Sequence, residues 1–187
     1  MPEPVAGTVI LGLDPGSRFT GYGVIERRGS SLRPLGHGRI SLPTDQPLAK
    51  RLAKLSHGIQ ALMDQYRPEV AVLESLFHGV NVRSLIVLAQ ARGALLATLA
   101  RAELEICEYS PAEIKTALTG HGRAEKGQVS RMVSLVLGLK GAEPTADASD
   151  ALAAAICYAQ RLRLDRLERP RLERPVRRRT GGLVRSK

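Results

Sequence analysis

The apolar positions along the chain fall into blocks of two different periods. Thr8-Val9-Ile10-Leu11-Gly12-Leu13 is a short, almost continuous apolar run, the pattern of a buried central strand, and Asp14-Pro15-Gly16 closes it as a turn. Thr20-Gly21-Tyr22-Gly23-Val24-Ile25 and a more polar stretch from Leu32 to Ile40 follow after short connections, which predicts antiparallel hairpins. The period then changes. Leu48, Leu52, Leu55, Ile59, Leu62, Met63 and Tyr66 step mostly by threes and fours, forming one apolar stripe of a helix that Pro68 stops. Glu69 to Glu74 is a fourth strand, β-branched and apolar, ending in an acid. Val82 to Ala100 predicts a second helix rich in small residues (Ala89, Ala91, Gly93, Ala94, Ala97), which let another backbone come close, from a neighbouring element or a second subunit. Glu105 to Tyr109 is a short fifth strand. Ser110-Pro111-Ala112-Glu113 offers an N-cap, a proline at the first helical position and an acid three residues on, and Thr119-Gly120-His121-Gly122 ends the helix it opens. Glu125 to Leu139 and Ala146 to Leu167 are the last two helices.

The order βββ-α-β-α-β-α-α-α places the chain in the α/β class, with a mixed five-stranded sheet and helices on both faces. Its 187 residues suit one domain, expected over residues 1–168, and a basic, disordered tail over 169–187. The tail repeats Leu-Glu-Arg-Pro at Leu167 and Leu172, and its paired prolines argue for an extended arm. From Arg161 to Lys187 there are 11 Lys or Arg and 3 Asp or Glu, a net +8 of the chain's +10, so the other 160 residues carry only +2. A basic end of this kind is an electrostatic arm for nucleic acid or a solubilising terminus. At 43% hydrophobic and 25% charged, the composition excludes wholesale disorder and a collagen-like chain. The longest apolar runs, such as Ala94 to Ala100, fall well short of the roughly 20 residues that cross a bilayer, so no membrane association is expected. The start, with Pro2, Glu3 and Pro4, lacks the features of a secretory signal. Cys107 and Cys157 are too few for a disulfide framework and read as buried thiols of a cytoplasmic protein.

Among the 18 acids, four have telling positions. Asp14 ends the most buried strand, and Glu74 ends the other apolar one. Asp147 and Asp150, three apart at the start of the last helix, share a helical face. Alone, Asp14 would be an ordinary turn residue, Glu74 an ordinary strand end, and the helix acids a cap and a macrodipole partner. Together they suggest more. Acids at strand ends in an α/β sheet face the ligand crevice. If the first and fourth strands are neighbours, the last helix can complete a four-carboxylate cluster, which needs cations or protons to neutralise it. Mg²⁺ or Mn²⁺ suits such oxygen ligands, and two ions form the usual clamp for in-line attack on a phosphodiester.

The segment Gly12-Leu13-Asp14-Pro15-Gly16-Ser17-Arg18-Phe19-Thr20-Gly21-Tyr22-Gly23-Val24-Ile25 resembles the opening of the RuvC family of bacterial Holliday-junction resolvases. Gln90-Ala91-Arg92-Gly93, Tyr109-Ser110-Pro111 through Lys115, Thr119 through Val129, and Asp147 through Ala153 resemble later segments of that family, in order. The resemblance runs from about Val9 to Tyr158. It implies an RNase H-like fold, a homodimer, and cleavage of four-way junction DNA in recombination and repair with Mg²⁺ or Mn²⁺, two ions per site. The same four acids, Asp14, Glu74, Asp147 and Asp150, become the catalytic metal ligands. Phe77 matches an aromatic that enters the junction, and Lys115 and Lys126 match bases near the scissile phosphate. Asn81, Arg83 and Arg123 join them as DNA-binding candidates. RuvA and RuvB, the branch-migration proteins, are the implied partners. Ser75 replaces a common Gln, and His78-Gly79-Val80 departs from the usual loop, which bears on sequence preference rather than chemistry.

Three other readings compete. The Asp14-Pro15-Gly16…Gly21…Gly23 hairpin also suits an actin-like ATPase or sugar kinase, but that fold needs a duplicated domain that 187 residues cannot hold. A related RNase H-like nuclease acting on RNA or another branched nucleic acid is nearer. A DNA-binding module without catalysis accounts for the tail but not for four converging acids.

Overall fold

The computed structural model describes residues 7–75, 82–139, 141 and 143–172. Five strands, β1 (Thr8–Pro15), β2 (Phe19–Arg28), β3 (Ser31–Ser41), β4 (Val70–Glu74) and β5 (Glu105–Tyr109), form one sheet in the order β3-β2-β1-β4-β5. The β1–β2 and β2–β3 pairs are antiparallel, and β1–β4 and β4–β5 are parallel, so the expected mixed sheet is present. The helices are α1 (Leu48–Tyr66), α2 (Val82–Arg101), α3 (Pro111–Thr119), α4 (Lys126–Leu137) and α5 (Ala146–Leu172).

Alternation along the strands splits the core in two. On β1, Leu11 and Leu13 face α1 and α2, while Ile10 faces α3, α4 and α5. Leu11 and Leu13 have no exposed surface, and each gains about 1.5–3 kcal/mol from burial. The predicted cap of α3 forms: Ser110 Oγ accepts from the Glu113 N–H at 3.3 Å, and the Glu113 carboxylate accepts from the Ser110 N–H at 2.9 Å.

Four expectations need correction. Asp14 and Pro15 are not turn residues but the end of β1, held opposite Gly21 and Thr20 of β2. Helix α5 runs to Leu172, five residues past its expected end, and so takes in the first residues of the expected tail. The Arg, Leu and Glu there are good helix formers, and Pro170 enters only at the last turn. Cys157 is buried, but Cys107 on β5 is only partly so. Ser84–Arg101 within α2 does reach the length and mean hydropathy (1.2) of a membrane-crossing helix. Counting uninterrupted apolar runs misses it because Gln90 and Arg92 break the sequence. Of its apolar side chains, Ala91, Leu95 and Leu99 are buried beside α1 and the sheet, while Leu85 and Ile86 are exposed.

Helix α5 is the centre of its layer. Ala148 and every residue from Ala151 to Ala159 are buried, and the helix touches β1, β2, β4, α3 and α4. It lies close to the sheet because the strands beneath it carry glycine. A Cβ at Gly12 would run into the Ala151 carbonyl, and one at Gly21 into the Asp147 carbonyl. Backbone on both sides leaves little room to adjust. We therefore expect Gly12→Ala and Gly21→Ala each to lower stability by at least about 2 kcal/mol. Urea unfolding monitored by circular dichroism measures this, and wild-type midpoints would refute the packing argument.

Candidate active site

The parallel β1–β4 pair, with Leu13 opposite Leu73, brings the ends of the two most buried strands side by side. Asp14 and Glu74 follow on the face covered by α5, because Gly12 and Val72, two residues before each, face that helix or its core. The first turns of α5 then bring Asp147 and Asp150 over them. Burial pushes the Asp14 carboxyl up to about 7, with the charges of Asp150, Glu74 and Asp147 adding to the shift. Burial, then the Asp150 charge, also raises Glu74. All four expected acids therefore interact around Asp14.

Lys126, at the start of α4, answers part of this charge. Its Nζ lies 2.6 Å from the Asp150 carboxylate, a bond that raises the ammonium pKa. Glu74, Lys115, Lys126 and Asp150 line one cleft of about 220 Å³. Among the described residues, no three His, Cys, Asp or Glu side chains converge tightly enough to hold a metal ion as they stand. The donor set nevertheless fits a hard divalent cation: every acid offers oxygen, and beyond the effect of burial the charges of Asp150, Glu74 and Asp147 all bear on Asp14, with Lys126 opposing them.

Residues 10–158 match the family profile described as Crossover junction endodeoxyribonuclease RuvC. The chain belongs to the RuvC family. The RuvC of Alkalilimnicola ehrlichii is 50% identical over 149 residues, covering 80% of this chain and 89% of that one. The RuvC of Rubrobacter xylanophilus is 44% identical over 151 residues, covering 81% and 84%. Among solved structures, Thermus thermophilus RuvC in complex with a Holliday junction substrate superposes with a TM-score of 0.80 at 30% identity, covering 84% of this chain and 96% of that one. The yeast mitochondrial Holliday junction resolvase Ydc2 has the same fold, with a TM-score of 0.64 at 14% identity and coverage of 89% and 85%.

The other expected site residues of this RuvC-family chain are scattered. Lys115 lines the acid cleft from α3. Arg123 does not; it lines a separate groove of about 720 Å³ with His121, Gln128 and Arg131. Arg83 falls in the first turn of α2, and Phe77 and Asn81 lie outside the described residues.

The sequence reading gave no role to two buried arginines, although Arg92 stood in the Gln90-Ala91-Arg92-Gly93 segment. Arg51 of α1 donates to the Ser17 carbonyl in the turn after Asp14. Arg92 of α2 donates to the Glu74 carbonyl. An arginine inside an apolar helical stripe was the available signal.

The raised Asp14 carboxyl has a stability consequence. An unfolded Asp loses its proton near 3.8, whereas folded Asp14 keeps it to about 7. The folded state binds more protons across that window, so metal-free protein should lose stability as pH rises from about 4 to about 7. Asp14→Asn should remove most of this slope and be more stable than wild type at pH 8. Urea midpoints at pH 5 and pH 8, measured in chelator, test this; equal slopes in both proteins would contradict it.

Proposed function

We propose that this chain resolves four-way DNA junctions by paired, symmetric nicks, with Asp14, Glu74, Asp147 and Asp150 holding two Mg²⁺ or Mn²⁺ ions. The observation that carries this reading is the acid cluster formed where Asp14 and Glu74, at the ends of two adjacent parallel strands, meet Asp147 and Asp150 of α5, with burial and the neighbouring charges raising Asp14 to about 7. Bound there, the ions supply an activated water and stabilise the leaving oxygen. As a ligand Asp14 would be ionised, its proton lost to solvent, and Lys126, once freed from Asp150, would join Lys115 beside the scissile phosphate. Phe77 enters the junction, and Asn81, Arg83 and Arg123 hold flanking phosphates. The basic residues beyond Leu172 bind DNA phosphates without reading sequence. RuvA and RuvB supply the junction.

One chain has one cluster, and two symmetric cuts need two. A two-fold homodimer meets this requirement. The exposed side of α2 is the proposed interface: Val82, Leu85 and Ile86 are 73%, 40% and 54% exposed, and Gly93 on the same helix has open space above it.

Asp14→Asn keeps the side-chain shape and removes a ligand charge. Cleavage of a mobile junction should fall at least about a hundredfold. Junction binding should persist or tighten, since a charge facing the phosphate is gone. Gel assays on junction, duplex and RNA–DNA hybrid check both points; full activity would remove Asp14 from the mechanism, and preference for the hybrid would favour an RNA substrate. Light scattering of the free protein should give about twice 20.2 kDa, and a monomer on junction DNA would contradict the dimer.

A further inference from the structure

Arg92 is 8% exposed, and its guanidinium spans two strands. Nη1 donates to the Glu74 backbone carbonyl at 2.8 Å, and Nη2 pairs with the Glu108 carboxylate of β5 at 2.6 Å. The sheet explains why the Glu74 carbonyl needs this donor. The Val9 carbonyl accepts from the Glu69 N–H, so the β1 residues facing β4 are Val9, Leu11, Leu13 and Pro15. The Ser75 N–H donates to the Tyr109 carbonyl of β5, so Glu74, one residue earlier, turns its backbone groups toward β1. With Leu13 opposite Leu73, the residue due to donate to the Glu74 carbonyl is Pro15, which has no N–H. A part-buried carbonyl left without its ladder donor takes another partner, and Arg92 supplies it from the α2 side of the sheet. The Glu74 side chain projects from the other side, toward α5.

We propose that Arg92 is a positioning residue: by replacing the hydrogen bond that Pro15 cannot make, it fixes the backbone from which the Glu74 carboxylate reaches the metal site. Glu108 fixes Arg92 in turn. A planar guanidinium serves the carbonyl and the carboxylate at once, whereas a lysine offers one point charge and cannot span both. The proposal rests on Glu74 being a metal ligand.

The test uses the full chain and reads Mn²⁺ binding directly, by electron paramagnetic resonance of free Mn²⁺, beside cleavage at saturating junction. Arg92→Gln should weaken Mn²⁺ binding at least about tenfold and slow cleavage at limiting metal by a similar factor, with partial recovery at high metal. Arg92→Lys should fall between it and wild type. Junction affinity without metal should stay within about twofold. Glu108→Gln, at a residue whose side chain is 43% exposed, should shift Mn²⁺ binding in the same sense by less, and it keeps the test open if Arg92→Gln does not fold. Leu95→Ala, which opens the α2 core without touching Glu74, controls for destabilisation. Equal metal shifts in Leu95→Ala and Arg92→Gln, or wild-type Mn²⁺ binding in folded Arg92→Gln or in Glu108→Gln, would overturn the proposal. Glu74→Gln separates the two levels. If it binds Mn²⁺ normally, the ligand reading itself has failed. If it loses Mn²⁺ affinity while Arg92→Gln does not, only the positioning role has failed. If Arg92 acts through Glu74, adding Arg92→Gln to Glu74→Gln costs no further Mn²⁺ affinity, and a further loss would overturn the positioning role.

Discussion

Everything at the acid cluster depends on how closely α5 can approach the sheet. Gly12 and Gly21 remove the side chains that would hold the helix away, and the carbonyls of Ala151 and Asp147 occupy that space. The helix answers with small residues of its own, Ala148, Ala151 and Ala155, all without exposed surface. Alanine and glycine contribute little apolar area each. Their value here is distance, because carboxylates on a helix interact with those on a strand only when the two backbones nearly touch.

That closeness carries an electrostatic cost. Burial first, then the charges of the three acids around it, Asp150, Glu74 and Asp147, push the Asp14 carboxyl up to about 7. Lys126 offsets part of the charge through Asp150. A site that balanced its own charge would have little affinity for a cation. Charge left unneutralised in this way would favour a divalent ion, and groups with shifted pKa values concentrate at functional sites.

Helix α2 serves two surfaces. Its inner side buries Ala91, Leu95 and Leu99 and directs Arg92 to the ends of β4 and β5. Its outer side exposes Val82, Leu85 and Ile86. A partner on the outer side would press on the helix whose Arg92 bonds the Glu74 carbonyl, so a subunit contact there would share one element with the acid site.

Much of this was legible in the residues. Hydrophobic period separated strands from helices, the Ser110 cap appeared as its motif predicts, and the four acids stood out by their places at strand ends and a helix start. These are local signals, carried by spacing within a few residues. The sequence pattern did not reveal that Asp14 and Pro15 belong to β1, because only the pairing with β2 extends the strand through an apparent turn. Nor did it give a reason for Gly12 and Gly21, whose meaning lies in a helix about 130 residues away. Arg92 is the clearest case. Its place in α2 is visible in the sequence, but its partner is set by a register that leaves the Glu74 carbonyl facing a proline. Period and capping follow from the chemistry of neighbouring residues. Proximity between distant residues follows from packing and strand register, which the tertiary structure alone decides.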